Sequence, residues 1–125
     1  MGAQARQRFG RIDGVIHAAG LADYAGVILR RTREQTEQVM AAKVQGALVL
    51  DELLRAAPLD FFVLCSSLGN VVYRYKFGQV GYAAANEFLD AFAAYRTARG
   101  SGYTVSINWD DWVEHGMTVE AHRRA

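Results

Sequence analysis

The stretch Asp60–Ser66, with the sequence DFFVLCS, is a nearly continuous apolar run of the length of a β-strand. Ile12–Ala18 (IDGVIHA) and Tyr103–Trp109 (YTVSINW) are two further segments of similar length and apolar character. Continuous apolar strands are typical of parallel sheets that are covered on both faces. The sequence therefore predicts three buried strands in one parallel sheet.

A helical pattern with capping signals lies between the first two strands. It runs from about Thr32 to Ala57, begins with the capping-box spacing of Thr32 and Gln35, and is followed by Pro58. Lys43 falls inside the apolar arc of this helix, where a lysine is costly unless it has partners or snorkels. The helical period places Val39, Gly46, Leu50, Leu53 and Leu54 on the apolar face and Arg33, Glu34, Glu37, Gln45, Asp51, Glu52 and Arg55 on the opposite face.

A second helical pattern runs from about Gln79 to Arg99 and is followed by Gly100, a common residue at helix ends. The order strand, helix, strand, helix, strand predicts an α/β fold, a Rossmann-like parallel sheet with flanking helices. Doubly wound nucleotide-binding sheets usually have about six strands. Ala3–Phe9 has the pattern of a helix tail. We therefore expect residues 1–125 to form a single partial domain, the C-terminal half of a larger α/β domain.

The overall composition excludes several classes of function. Fourteen Lys and Arg residues against thirteen Asp and Glu residues give a net charge of +1, too small for a global basic field that binds nucleic acid. The single cysteine, Cys65, excludes an internal disulfide, and His17, His115 and His122 lack the spacing of metal ligands. No apolar stretch approaches the roughly 18 residues of a membrane span. We expect a cytoplasmic protein that binds no metal, nucleic acid or membrane.

Small and polar residues collect where the predicted strands end. In open α/β sheets, ligands bind outside the carboxyl ends of the strands. The first strand ends in His17–Gly20 (HAAG), the second in Ser66–Ser67 and the third in Asn108–Trp109. Tyr82 and Asn86 lie one turn apart on the second helix. Small residues can simply turn the chain and a tyrosine can simply pack, so none of these residues alone identifies a site.

Four residues taken together form a chemically consistent set. The sheet topology can bring Lys43, Ser67, Tyr82 and Asn86 to one crevice. An ammonium group beside a phenol makes the phenol a better proton donor near neutral pH. A serine hydroxyl beside them can hold a carbonyl oxygen. The set therefore suits protonation of a carbonyl oxygen while hydride arrives at the carbon.

Several motifs resemble those of one protein family. Asp13–Gly20 (DGVIHAAG) resembles the fourth strand and following turn of short-chain dehydrogenases/reductases. More narrowly, it resembles the ketoreductase domains of modular polyketide synthases and hybrid peptide–polyketide synthases. Lys43–Gly46 (KVQG), Ser66–Ser67, Gly81–Asn86 (GYAAAN) and Asn108–Trp112 (NWDDW) resemble further segments of that family. The resemblance covers nearly the whole chain and corresponds to the C-terminal half of such a domain.

The resemblance implies a role for each candidate residue. Tyr82 would be the proton donor, Ser67 would hydrogen-bond the ketone, and Asn86 would support a proton-relay water. Lys43 would contact the nicotinamide ribose and tune Tyr82. Many ordinary short-chain reductases have a lysine where this chain has Asn86, so the lysine on the preceding helix favours the polyketide ketoreductases. The implied cofactor-binding residues are Ala18, Ala19, Gly20, Lys43 and Tyr82.

The implied reaction is the NADPH-dependent reduction of a ketoacyl thioester to the hydroxyacyl form. The substrate would be carried on the phosphopantetheine arm of an acyl-carrier protein. The family's glycine-rich dinucleotide turn is not found in this chain, since Gly100–Gly102 follows a helix and precedes a strand. The pyrophosphate and adenosine sites are therefore expected in a remaining N-terminal half of the ketoreductase. The loop of residues 71–80 is either a wall for the phosphopantetheine arm or a solvated loop.

Two alternatives stay open at this point. One is a stand-alone small-molecule carbonyl reductase or epimerase of the same superfamily. The other is a non-catalytic fragment that lacks its cofactor half. Leu21–Tyr24 (LADY) matches only in part the Leu-Asp-Asp motif of one stereochemical class. The product configuration, and the choice between α-keto and β-keto substrates, therefore stay open as well.

Overall fold

The computed structural model describes residues 2–72 and 77–117, together with residues 119 and 123. The predicted strands and helices are present in the predicted order, with ends that differ by a few residues. The helices are α1 (Gly2–Phe9), α2 (Arg33–Leu53) and α3 (Val80–Ala98), and the strands are β1 (Gly14–His17), β2 (Phe61–Ser67) and β3 (Thr104–Trp109).

The three strands form one parallel sheet in the order β1-β2-β3. In the register of this sheet, His17 lies beside Leu64, and Ser67 lies beside Trp109. Because neighbouring strands are parallel, α2 and α3 each cross over the sheet to connect its two ends. The prediction of a Rossmann-like parallel sheet with flanking helices is confirmed.

The predicted signals mark the ends of both long helices. The Thr32 hydroxyl accepts the N–H of Gln35 at 3.2 Å, and the Gln35 side chain accepts the N–H of Thr32 at 2.9 Å. This reciprocal pair satisfies two N–H groups that have no partner within the helix. After α3, Gly100 has a φ of 72°, a left-handed conformation that glycine adopts without strain.

Helices α2 and α3 cover one face of the sheet. The core on this face consists of Ala47 from α2, Phe62 and Leu64 from β2, and Leu89, Phe92 and Ala93 from α3. Strand residues alternate between the two faces, so the opposite face carries Ile16, Phe61, Val63, Cys65, Val105 and Ile107. Ile16 is 66% exposed there. Among the described residues, both crossover helices pack on one side of the sheet and leave Ile16 exposed on the other.

A buried charge cluster joins α2 to α3. Asp51 accepts hydrogen bonds from Arg99 at 2.5 and 2.7 Å and pairs with Arg96, whose guanidinium lies 4.3 Å from the centroid of the Phe62 ring. The helical period predicts Asp51 on the polar face of α2 and Leu53 on the apolar face, and both predictions are wrong. The buried stripe of α2 is rotated toward Asp51 because α3 packs along that side, and Leu53 is 65% exposed. Within the part of the chain that the structure describes, no helix has the length and hydropathy needed to cross a bilayer.

We expect Asp51→Asn to lower the free energy of unfolding by about 3 kcal/mol, because Arg96 is then left buried without its counter-charge. Urea denaturation followed by circular dichroism measures the change. Glu52→Gln is the matched control, because Glu52 is exposed and pairs with Arg55 at the surface. That change should cost less than about 1 kcal/mol. Equal losses in the free energy of unfolding for the two variants would show that the buried cluster stabilises the fold no more than a surface ion pair does.

Candidate active site

Lys43 of α2 is buried although its side chain can carry a charge. Its Nζ atom donates a hydrogen bond to the carbonyl oxygen of Cys65 at 2.6 Å, near the carboxyl end of β2. Only 4% of Lys43 is exposed, and burial lowers the pKa of its ammonium group below the ordinary value of a lysine. The prediction that Lys43 lies on the core-facing stripe of its helix is confirmed.

The packing of β1 against α2 brings this lysine close to the sheet. The Nε2 atom of His17 lies 3.2 Å from the carbonyl oxygen of Lys43, which accepts its N–H. A Cβ atom at Gly46 would lie only 2.8 Å from the ring of His17, so the helix can approach the strand this closely only with glycine there. Burial lowers the pKa of His17, which favours the neutral imidazole.

Tyr82, in the first turn of α3, lies beside Lys43. The Nζ atom of Lys43 is 5.7 Å from the centroid of the tyrosine ring, within the range of a cation–π contact. Asn86 follows one turn later, and its Nδ2 atom donates to the carbonyl oxygen of Tyr82 at 2.8 Å. Asn86 is completely buried, and its Oδ1 atom has no hydrogen-bond partner among the described residues. Three of the four predicted catalytic residues therefore lie together.

Ser67 is the buried last residue of β2, at the same sheet edge as the Lys43–Cys65 hydrogen bond. Its hydroxyl oxygen accepts the N–H of Gly69 at 3.2 Å, in the short turn after the strand. The preceding residue, Ser66, faces the helices, and its hydroxyl donates to the carbonyl oxygen of Asn86 at 3.2 Å. The two serines therefore have different surroundings.

A polar network near the site was missed by the reasoning from sequence. The carboxylate of Asp90 accepts hydrogen bonds from the Asn70 amide at 2.7 Å and from the Ser106 hydroxyl. Asn70 also donates to the Ser66 hydroxyl at 3.1 Å. With its amide nitrogen turned toward them, Asn108 donates to Ser66 at 3.0 Å and to Asp90 at 3.2 Å. The sequence signal for this network was Asp90, a carboxylate within the largely apolar helix α3.

A cleft of about 550 Å³ lies beside the loop after β1. The cleft is lined by Gln38 and Val39 of α2, by Gly116 and Met117, and by four residues of the loop, Gly20, Leu21, Ala22 and Tyr24. A Cβ atom at Gly20 would lie 3.1 Å from Cε of Lys43, so the residue here must be small. Ala18 and Ala19, two of the predicted cofactor residues, are exposed and connect β1 to this glycine. Residues 73–76, in the loop interpreted either as a wall for the phosphopantetheine arm or as a solvated loop, lie outside the described residues.

A lysine and a tyrosine held together at the carboxyl edge of a parallel α/β sheet are typical of Rossmann-like reductases of the short-chain dehydrogenase/reductase class. The model of the KR domain family matches residues 1–114. The chain belongs to this family of ketoreductase domains.

Comparisons with known proteins agree with this assignment. The chain is 39% identical over 118 residues to the polyketide synthase PksL of Bacillus subtilis, which covers 90% of the chain and 2% of PksL. It is 42% identical over 109 residues to the 6-methylsalicylic acid synthase of Aspergillus terreus, covering 86% of the chain and 6% of that synthase. The solved ketoreductase from the first module of phoslactomycin biosynthesis in Streptomyces sp. HK803 is 39% identical, with a TM-score of 0.82. That match covers 98% of this chain and 27% of the solved chain.

We expect Lys43→Met to raise the free energy of unfolding at pH 7 by about 0.5–2 kcal/mol, because a buried charge is replaced by an apolar side chain of similar length. The folded state lowers the pKa of Lys43, so the unfolded chain binds the proton more tightly. The free energy of unfolding of the wild type should therefore rise as the pH increases from the folded-state pKa of Lys43 to its unfolded-state pKa. Over the same range, the stability difference between wild type and Lys43→Met should narrow.

Urea denaturation at pH 7 and near pH 10 measures that gap. Lys43→Arg, which keeps the charge at both pH values, is the control. The stability difference between Lys43→Arg and Lys43→Met should not narrow between the two pH values. A gap between wild type and Lys43→Met that is the same at both pH values would contradict the pKa shift.

Proposed function

We propose that this chain is the catalytic part of an NADPH-dependent ketoreductase in polyketide or hybrid peptide–polyketide biosynthesis. The reaction is the reduction of a ketoacyl thioester, carried on an acyl-carrier protein, to the hydroxyacyl form. The observation that supports it most is the 5.7 Å separation between Nζ of Lys43 and the centroid of the Tyr82 ring, at the sheet edge where α/β proteins bind ligands.

Tyr82 is the proton donor in this proposal. Its phenol gives a proton to the ketone oxygen as hydride reaches the carbonyl carbon, so the ketone becomes an alcohol. The ammonium group of Lys43 stabilises the negative charge that develops on the phenol oxygen as the proton leaves. Because Lys43 is buried, its charge is poorly screened by water and acts strongly at this short range.

Ser67 and Asn86 have supporting roles in the proposed reaction. The Ser67 hydroxyl donates a hydrogen bond to the ketone oxygen, and its position at the end of β2 is consistent with that role. The buried Oδ1 atom of Asn86 has no partner among the described residues and is available to accept a hydrogen bond from a water molecule that returns a proton to Tyr82. The Nδ2 atom of Asn86 donates to the carbonyl oxygen of Tyr82, which fixes the Asn86 side chain against the turn that carries the phenol.

The residues present fit the nicotinamide end of NADPH. Lys43 offers an ammonium group to the ribose hydroxyls, Gly20 leaves the space that a Cβ atom would fill, and Ala18 and Ala19 are small and exposed. The bound cofactor supplies hydride. This chain's own contribution is to orient the ketone, through Ser67, and to deliver the proton.

The similarity to polyketide synthases favours an acyl-carrier protein as the partner over a free small-molecule ketone. PksL and the 6-methylsalicylic acid synthase are both synthases, and this chain matches only 2% and 6% of their lengths. We therefore propose that the substrate reaches the site on a phosphopantetheine arm. We also propose the cytoplasm as the location of this chain.

We expect Tyr82→Phe to lower kcat by at least about 100-fold in a complete ketoreductase domain that contains this chain, because the proton donor is lost. The free energy of unfolding should change by less than about 1 kcal/mol, since the ring is kept. NADPH consumption with a ketoacyl thioester surrogate measures kcat. Tyr95→Phe is the matched control, because Tyr95 is an exposed tyrosine on the same helix, and it should keep full turnover. Retained turnover in Tyr82→Phe would refute the assignment.

We also propose that residues 1–125 form a single partial domain, completed by a remaining N-terminal half of the ketoreductase. The sheet face opposite α2 and α3 is apolar, and Ile16 on it is 66% exposed. Parallel sheets are normally covered on both faces. The chain also covers only 27% of the solved phoslactomycin ketoreductase. A further segment that packs on this face would supply the glycine-rich turn that binds the pyrophosphate.

We expect Ile16→Lys to weaken the association of this chain with the separately produced N-terminal half by about 10-fold or more, because burying an isoleucine contributes about 1.5–3 kcal/mol. Isothermal titration calorimetry measures the dissociation constant. Leu53→Lys is the control, because Leu53 is similarly exposed but lies on α2, away from this face. Binding that is equally tight for wild type and Ile16→Lys would show that the face is not the contact surface.

A further inference from the structure

A buried carboxylate from a distant loop caps the helix that carries Tyr82. The Oδ2 atom of Asp23 accepts the N–H of Gly81 at 2.8 Å and the N–H of Tyr82 at 3.2 Å. The first N–H groups of a helix have no partner within the helix. The residue that precedes α3, Gln79, makes no side-chain capping bond. A residue 58 positions earlier in the chain than Gly81 therefore supplies the cap.

Arg31 holds this carboxylate from the other side. Its Nη2 atom donates to both carboxylate oxygens of Asp23 at 2.9 Å. The backbone N–H of Ala25 also donates to Oδ1 of Asp23, at 3.1 Å. Both charged side chains are at most 3% exposed. Burial raises the pKa of Asp23, but the hydrogen bonds from Arg31, Ala25 and Tyr82 outweigh that effect and hold its pKa below the ordinary value. Asp23 is thus ionised at neutral pH.

The pair approaches α3 closely because Gly81 has no side chain. A Cβ atom at Gly81 would lie 3.0 Å from Nη2 of Arg31 and 3.1 Å from Oδ2 of Asp23. A buried ion pair is costly to form and is by itself weak support for stability. Its value here is geometric, since one charged group orders two successive N–H groups in the turn that contains Tyr82.

The capping loop is also the loop that lines the cleft. Gly20 lies against the side chain of Lys43. Gly20 and Tyr24, which lie before and after Asp23 in the loop, both line the cleft. We propose that Asp23, held by Arg31, is a positioning residue that fixes the Tyr82 backbone and thereby its ring relative to Lys43. This inference rests on the proposed function, in which Tyr82 is the proton donor.

Nuclear magnetic resonance of the 125-residue chain tests the positioning without any turnover. In Asp23→Asn the carboxylate charge is lost, so the amide protons of Gly81 and Tyr82 should move upfield as their hydrogen bonds weaken. The signals of the Lys43 methylene group bonded to Nζ, which lies 5.7 Å from the centroid of the Tyr82 ring, should change as the ring moves. Asp13→Asn is the control, because Asp13 is an exposed carboxylate that pairs with Arg11. Changes no larger than in this control would overturn the proposal.

Kinetics in the complete ketoreductase domain test the consequence for catalysis. We expect Asp23→Asn to lower kcat per folded molecule by about 10- to 100-fold, since a misplacement of about 1 Å can cost that much, while the KM for NADPH changes by less than about threefold. Arg31→Lys keeps the charge but loses the two-oxygen contact, so its kcat should lie between wild type and Asp23→Asn. An unchanged kcat per folded molecule in both variants would overturn the proposal.

The two arms separate the possible failures. If the wild-type domain shows no turnover, the proposed function fails, and the resonance shifts of Gly81, Tyr82 and Lys43 still decide whether Asp23 positions the tyrosine. If the wild type is active and the Asp23→Asn variant keeps both its kcat and its spectrum, the proposed function stands and the positioning role is wrong.

Discussion

The buried ammonium group of Lys43 is the constraint on which the geometry of the site depends. A charged group that is only 4% exposed must find a hydrogen-bond partner, and the carbonyl oxygen of Cys65 provides one at 2.6 Å. To reach that oxygen, α2 must lie close to the carboxyl ends of β1 and β2. Glycines at positions 46 and 20 permit this, because a Cβ atom at either would crowd His17 or Lys43. The contact with Tyr82 follows because α3 packs beside α2.

Polar contacts then hold α3 in place along its whole length. The Asp23–Arg31 pair caps its first turn, Asp90 connects its middle to β3 and the turn after β2, and Asp51 pairs with Arg96 and Arg99 near its end. The contacts at the two ends of α3 join it to the loop after β1 and to α2, and Asp90 joins it to the neighbouring elements in the chain. Buried polar groups need partners, so a shifted or rotated α3 would leave several of them unpaired. The helix therefore has one favourable position, which a hydrophobic interface alone would define less sharply.

The local features of the fold could be predicted from the sequence because their causes are local. The capping box at Thr32, the glycine after α3 and the apolar run of β2 each act over a few residues. Lys43 was recognisable for the same reason, as a charge on an apolar helical stripe. Asp51 was misplaced because its partners Arg96 and Arg99 lie on another helix, and the helical period of α2 carries no information about them.

The parts of the site that escaped prediction depend on contacts that form only in the folded chain. Asp23 was visible only as part of an imperfect motif, because its partners Gly81 and Arg31 come together only when α3 docks against the loop. Ser67 was preferred to Ser66 through the resemblance to the family, but the different surroundings of the two serines depend on the face that each occupies in the folded sheet. Reasoning from sequence thus identifies residues with unusual chemistry for their position. Their supporting partners become visible only in three dimensions.

In our proposal, proton delivery and cofactor binding depend on different parts of the structure. The groups that would deliver the proton belong to α2, α3 and the end of β2, and contacts among the described residues hold Lys43, Tyr82 and Asn86 together. The side chains on the opposite sheet face, where Ile16 is exposed, make none of these contacts. A segment that covers this face can therefore supply dinucleotide binding without rebuilding the proton-donating groups. Their geometry depends on packing within this chain, whereas in our proposal the affinity for NADPH depends on the segment that packs against it.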